Sequence, residues 1–260
     1  MTERPTLWQI PVSHYSEKAR WALAWKQIDH RRRSPTPGSH MAIALWLTRG
    51  SQVTFPVLTA EGRNIGDSTA IIAELEHRRP EPALYPEDAE QRRRALELED
   101  FFDEELGPHS RVLAFHELRR DPDVLRRIVE QTAPPPLQRA AGLSTSYARF
   151  FTNLRFGAAD PGAADRARGK ILAAFDRLEA ELDAGRGEYL AGDRFSVADL
   201  TAASLFYPIV LPEQGPVTTE LGVAAGLEEF RRPLKDRPGF LWVEEMFRRH
   251  RRGAPAVATA

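Results

Sequence analysis

The chain has no cysteine among its 260 residues. That absence excludes disulfides, a thiolate metal site, a cysteine nucleophile and a Cys-x-x-Cys redox pair. Nor is there an excess of charge: 36 lysines and arginines stand against 37 aspartates and glutamates, a formal net charge of -1. No global field draws such a chain to nucleic acid or to an anionic membrane surface. Long apolar runs are missing as well. The most apolar stretch, Leu200 to Leu211, is interrupted by Pro208 and falls far short of the ~20 residues of a membrane-spanning helix; it reads as a buried helix. The opening Met1-Thr2-Glu3-Arg4-Pro5 lacks the basic and apolar regions of a signal peptide, so a cytoplasmic protein is expected. The histidines form no ligand pattern: His116-Glu117 lacks the second histidine of a zinc motif, and His14 and His109 are isolated. No metal and no glycine-rich phosphate loop are expected. The arginine clusters Arg31 to Arg33 and Arg248, Arg249, Arg251 and Arg252 read as solvated faces.

What is present is an ordinary globular composition, 42% hydrophobic and 28% charged, in a length that suits two domains. Residues Thr6 to Val12 read as a strand and Ser16 to Gln27 as a helix, with Ala19, Ala22, Leu23 and Lys26 at helical spacing. The segment from Asp29 to Gly38 predicts no more than a short edge strand or loop. A helical patch at Met41 to Thr48 follows, then an antiparallel hairpin in which 55–59 and 63–66 flank Ala60-Glu61-Gly62. Asp67 or Ser68 caps a helix whose Ile71, Ile72 and Leu75 share a face. The three prolines of Pro80 to Pro86 mark a linker. Beyond it, helices are predicted at Glu90 to Leu106, Val124 to Gln131, Ser144 to Leu154, Ala164 to Leu182 and after Ser196, where Ser196-Val197-Ala198-Asp199 forms a capping box with Phe195 and Leu200 as a hydrophobic staple. The division is 1–80 for the first domain, 81–88 for the linker, 89–252 for the helical domain and 253–260 for a loose tail.

Chemistry concentrates at two helix starts. Ser13 or Ser16, at the N-terminal end of the first helix, offers a hydroxyl beside free backbone N–H groups and the positive end of the helix dipole. A thiol placed there is favoured as its thiolate, each pKa unit being worth ~1.4 kcal/mol. Because the chain has no cysteine, that sulfur has to come from a ligand. Pro56 removes a ladder hydrogen bond from a strand, which calls for a cis peptide or a sheet edge. Asp67-Ser68, at the second helix start, suits the ammonium and carboxylate of an α-amino acid.

The run Ser13-His14-Tyr15-Ser16-Glu17-Lys18-Ala19-Arg20-Trp21-Ala22-Leu23 resembles the active-site turn of glutathione transferases. Phe55-Pro56-Val57-Leu58 resembles their cis-proline strand, and Gly66-Asp67-Ser68 the acidic-Ser pair that grips the γ-glutamyl end of glutathione. Tyr189-Leu190-Ala191-Gly192-Asp193 is similar to the entry of a buried helix in their second domain. The pieces come in the family's order and cover nearly the whole chain up to about Arg252. The resemblance is to the cytosolic, serine-type, bacterial-like members. It implies an α+β fold, a thioredoxin-like domain followed by an all-helical one, with glutathione as cosubstrate.

By the same resemblance Ser13 stabilises the glutathione thiolate, with Ser16 as runner-up, and the backbone of Phe55, turned by cis-Pro56, pairs with the cysteinyl part. Asp67 and Ser68 hold the γ-glutamyl end. Tyr15, His109, Phe115 and His116, with Tyr147, Phe151 and Tyr207, are candidates for the electrophile pocket, although aromatics at helical spacing more often form core. One departure is Thr54, with Gln52 nearby, where many members carry a lysine for the glycyl carboxylate; Arg49 or His40 is the alternative partner. The implied activity is thiolate attack on a small hydrophobic electrophile, in a homodimer. A non-catalytic binding or protein-interaction module on the same fold is the alternative.

Overall fold

The computed structural model describes residues 4–36, 39–132, 158–185 and 187–251. The first strand, β1 (Thr6–Trp8), is short, and α1 (His14–Trp25) begins two residues earlier than its apolar pattern predicts, because Ser13 rather than Ser16 is the N-cap. Gln27, at a φ of 52°, turns the chain out of α1. The weak segment after it does form an edge strand, β2 (Arg31–Arg33), parallel to β1. Then come α2 (Ser39–Leu47), β3 (Val57–Ala60), β4 (Arg63–Gly66) and α3 (Ser68–Arg78). Glu61 and Gly62 join β3 to β4 with positive φ at both residues, the backbone a two-residue hairpin turn demands.

The four strands lie in the order β2-β1-β3-β4, with β3 antiparallel to both neighbours. Alternation along the strands sends Leu7 and Leu58 into the core with Ala19, Ile71, Ile72 and Leu75, while Val57 joins Phe55, Ala44 and Leu47 in a second, smaller cluster. The unit is thioredoxin-like, with helices on both faces of a small mixed sheet.

The proline-rich stretch after it is tethered rather than loose. Lys26 Nζ donates to the carbonyls of Pro80 and Pro82, each at 2.8 Å, and pairs with Glu76, whose carboxylate also accepts from the Leu84 and Tyr85 N–H groups.

The second half of the described chain is helical. α4 (Ala89–Phe101) does not stop near Leu106 as its pattern suggests; it runs through a π-helical turn at Phe102–Leu106 into α5 (Gly107–Arg120). Pro108 sits in the first turn of α5, where a missing N–H is tolerated. α6 (Pro122–Thr132), α7 (Pro161–Gly185), α8 (Val197–Val210), α9 (Ala225–Arg231) and α10 (Pro238–His250) complete it. The predicted helix at Ser144 to Leu154, with Tyr147 and Phe151, and the tail 253–260 lie outside the described residues.

Every residue of α8 is buried, and it packs on α1, α4, α5 and α10. Each leucine buried there is worth about 2 kcal/mol. Its capping box is present: Asp199 accepts from the Ser196 N–H at 2.8 Å and from the Leu190 N–H at 2.8 Å. Burial raises the Asp199 carboxyl to about 6. Among the described residues, no helix is long and apolar enough to cross a membrane.

Candidate active site

The strand register decides which side chains meet. Trp8, the last residue of β1, pairs with Val57, the first of β3, and Val57 pairs in turn with Gly66, the last of β4. The chain leaving β1 toward Ser13, the chain entering β3 through Phe55-Pro56, and the chain leaving β4 into Asp67-Ser68 therefore lie at one end of the sheet. Two strand spacings of ~4.8 Å set them along a line of about 10 Å, and three extended residues span about the same length.

At the first of these positions Ser13 is half-buried, with φ -77° and ψ 128°. Its Oγ accepts from the Ser16 N–H at 3.3 Å. That contact uses a lone pair and leaves the Ser13 O–H available to donate. Ser16 is fully buried, and its Oγ accepts from the Ile10 N–H at 3.2 Å, so it holds the turn.

At the middle position the Phe55-Pro56 peptide is cis. Phe55 lies outside the β1–β3 ladder, which leaves its backbone N–H and C=O off that ladder. Its ring is anchored 6.4 Å from the Trp8 ring and 6.2 Å from His40. Burial lowers the pKa of His40. Thr54 and Arg49 are exposed, while Gln52 packs over Gly66, where a Cβ would overlap its side chain. Gln52 therefore stands beside the turn into Asp67.

At the third position Asp67 is exposed and holds φ 74°, ψ 136°, a strained backbone for a residue with a side chain, of the kind that clusters at binding sites. Its Oδ1 accepts from the Thr69 and Ala70 N–H groups at 2.9 and 3.2 Å. Ser68, the first residue of α3, is buried to 3% exposure.

The second domain closes on this end of the sheet through three polar links. Tyr15 Oη donates to the Asp103 carbonyl at 3.0 Å within the π-helical turn, and His14 Nε2 lies 2.9 Å from the Gly107 carbonyl. A Cβ on Gly107 would overlap Tyr15 Oη. Burial, with Arg111 adding to it, holds the His14 imidazole down at about 3, and burial raises the Tyr15 phenol well above its ordinary value. Lys18 Nζ, fully buried, meets Asp103 at 2.6 Å, Glu99 at 2.8 Å and Thr69 Oγ1 at 2.8 Å. Burial pushes the Glu99 carboxyl up against the pull of Lys18.

The fold agrees with comparison to known proteins. The model of the glutathione S-transferase N-terminal domain matches residues 7–83, and that of the C-terminal domain matches residues 161–215. The chain belongs to the glutathione S-transferase family. A maleylacetoacetate isomerase of Rattus norvegicus is 25% identical over 203 residues, covering 77% of this chain and 76% of that protein. FzlA from C. crescentus shares the fold at a TM-score of 0.57 and 23% identity, over 99% of this chain and 96% of that one. So does a glutathione S-transferase of Methylobacterium radiotolerans in complex with glutathione sulfonate, at a TM-score of 0.55 and 21% identity over 99% of each chain.

Not every candidate of this glutathione S-transferase family member lies at the same place. His109, Phe115 and His116 are all on α5, and His116 is nine residues beyond Gly107, about 13 Å along the helix axis. Its Nδ1 lies 2.9 Å from the Ala158 carbonyl, and it lines a separate cavity of about 1030 Å³ with Glu117, Arg168, Gly226 and Phe230. His109 is half-buried, its pKa lowered by burial and then by Lys170. Phe115 is half-buried too. Tyr207 is turned to the Ser13 side, its Oη donating to the Val12 carbonyl at 3.2 Å. Among the described residues, no cluster of three or more His, Asp or Glu could hold a metal ion.

The arginine clusters need a correction. Arg251 is buried to 4% exposure against Glu17 and Arg32 is half-buried, whereas Arg31 and Arg33 are exposed, Arg33 lying 5.3 Å over the Trp8 ring, and Arg252 lies outside the described residues. Arg248 and Arg249 do pair with Glu245 at the surface. Glu17 and Arg20 were recognisable only as an i,i+3 pair on α1. Nothing local marked Arg251, 234 residues away from Glu17.

Proposed function

We propose that this chain is a glutathione-dependent enzyme in which the Ser13 O–H donates to the glutathione sulfur and holds it as the thiolate, for attack on a small hydrophobic electrophile. The observation that supports it most is the register Trp8–Val57–Gly66, which brings the strand that leads to Ser13, the cis-proline strand entry and a second helix start to one end of the sheet. Glutathione supplies the thiol that the cysteine-free chain lacks. The start of α1 lends its dipole to the charge on sulfur. Phe55 pairs its backbone N–H and C=O with the cysteinyl residue as an added strand would. Asp67 takes the ammonium, while Ser68, at the positive end of α3, takes the α-carboxylate.

Isomerisation is the reaction class favoured by the curated relative, with addition and substitution sharing the same first step. The enzyme is cytoplasmic and homodimeric, needs no metal, binds neither nucleic acid nor membrane, and divides into domains at 1–80 and 89–252. Retention on immobilised glutathione and conjugation of a general aryl halide test the reading. Wild type is expected to be retained and to turn over, and Ser13→Ala to lose at least about tenfold in kcat/KM, the ~1.4 kcal/mol of one donor to a developing charge. Retention without serine-dependent turnover, or no retention at all, supports the binding module instead, a reading the exposed Thr54 favours.

A further inference from the structure

The turn that presents Ser13 is held by groups distant from it in sequence. Within Gln9 to Ser13, the Ile10 N–H donates to Ser16 Oγ at 3.2 Å and the Ser13 N–H to the Ile10 carbonyl at 3.0 Å. The carbonyls of Pro11 and Val12 are taken from outside. Pro11 O accepts from Arg20 Nη2 at 3.0 Å, and Val12 O accepts from Tyr207 Oη at 3.2 Å.

Arg20 is itself fixed at three points. Besides Pro11, its Nε donates to Glu17 Oε2 at 2.7 Å and its Nη1 to Gln9 Oε1 at 2.8 Å. The other oxygen of Glu17, Oε1, accepts from Arg251 Nε, at the C-terminal end of α10. Gln9, Glu17, Arg20 and Arg251 are all 6% exposed or less. Burial, with Arg20 and Arg251 adding to it, lowers the pKa of Arg32 on β2. A buried, multiply bonded ion network of this kind is costly unless complete, and each member constrains the next.

We infer that Glu17, Arg20, Arg251 and Tyr207 are positioning residues for the Ser13 hydroxyl, so that the end of the last helix of the second domain sets the sulfur site of the first. The inference rests on the role given to Ser13 above. Arg251 fixes Glu17, Glu17 orients Arg20, and Arg20 with Tyr207 pins the two carbonyls that immediately precede Ser13. Where Ser13 Oγ stands relative to a sulfur at the start of α1 depends on those two bonds.

The readout is the pKa of the thiol of bound glutathione, followed by thiolate ultraviolet absorbance against pH, with resin retention and thermal midpoint recorded alongside. Arg251→Gln is expected to raise that pKa by about one unit, a tenfold loss of thiolate at any pH below it, with glutathione still retained through Asp67 and Ser68. Arg251→Lys restores most of the shift. Tyr207→Phe, which leaves no buried charge unpaired, moves the pKa in the same direction. Should Arg251→Gln fail to fold, Tyr207→Phe decides alone. Variants that fold, retain glutathione and leave the thiol pKa where wild type has it overturn the inference. A wild type that retains glutathione without depressing its thiol pKa overturns the role of Ser13 itself.

Discussion

His14 Nε2 donates to the Gly107 carbonyl across 2.9 Å, which ties the residue after Ser13 to the first turn of α5. Because the acceptor is a carbonyl, the neutral ring carries its proton on Nε2. Burial, and then Arg111, hold its folded pKa at about 3 against 6.5 in an ordinary setting. The unfolded chain therefore binds a proton that the folded one refuses. The stability from neutral His14 is complete above 6.5 and is lost progressively as pH falls toward 3. Between about pH 7 and about pH 5 the advantage of wild type over His14→Gln in urea unfolding is expected to shrink by about 2 kcal/mol. An advantage equal at both pH values would contradict it. Asp199, raised from 3.8 to about 6, works the other way, stabilising the fold as pH falls through 6, so wild type alone shows a shallower slope.

Lys18 joins the two domains as a buried cation between Glu99 and Asp103. Lys18→Met strands two carboxylates and is expected to cost about 3–5 kcal/mol, seen as a lower urea midpoint. Adding Glu99→Gln and Asp103→Asn to Lys18→Met should recover much of it, because the loss comes from uncompensated charge. A single-variant cost under about 1 kcal/mol would show that the ion network contributes little.

Asp67 caps α3 and, in the proposed function, binds the glutathione ammonium. The two roles separate by substitution. Asp67→Ala removes the cap and strains a residue at φ 74°, so it should lose about 1 kcal/mol of stability. Asp67→Asn keeps a capping oxygen and tolerates positive φ, and should melt near wild type. Both are expected to bind glutathione about tenfold more weakly, the ~1.5 kcal/mol of a charge-assisted bond. If Asp67→Asn binds like wild type in calorimetry, Asp67 is a cap only.

How legible the fold was depended on the range of the interactions involved. α3, the β3–β4 hairpin and α8 were plain in the chain because a capping residue, a turn glycine and apolar spacing act within a few positions of one another. α1 was misplaced by two residues because Ser13 and Ser16 are both competent caps. Only the bond from the Ile10 N–H to Ser16 Oγ, which turns Ser16 inward, tells them apart. The break expected near Leu106 failed for a similar reason: Gly107-Pro108 is a stop signal locally, yet Tyr15 and His14 bind carbonyls at this junction and α5 continues.

The sequence by itself determined the class of protein, the order of the elements of the first domain and the two helix starts that carry Ser13 and Asp67-Ser68. These rest on side chains acting on nearby backbone. Which serine caps α1, that Arg251 is buried against Glu17 rather than solvated, and that His116 lines a cavity with Glu117, Arg168 and Phe230 were decided only by the tertiary structure. Such facts depend on burial and charge pairing between residues as many as 234 positions apart, and desolvation is a property of the assembled fold, carried by no short stretch of chain.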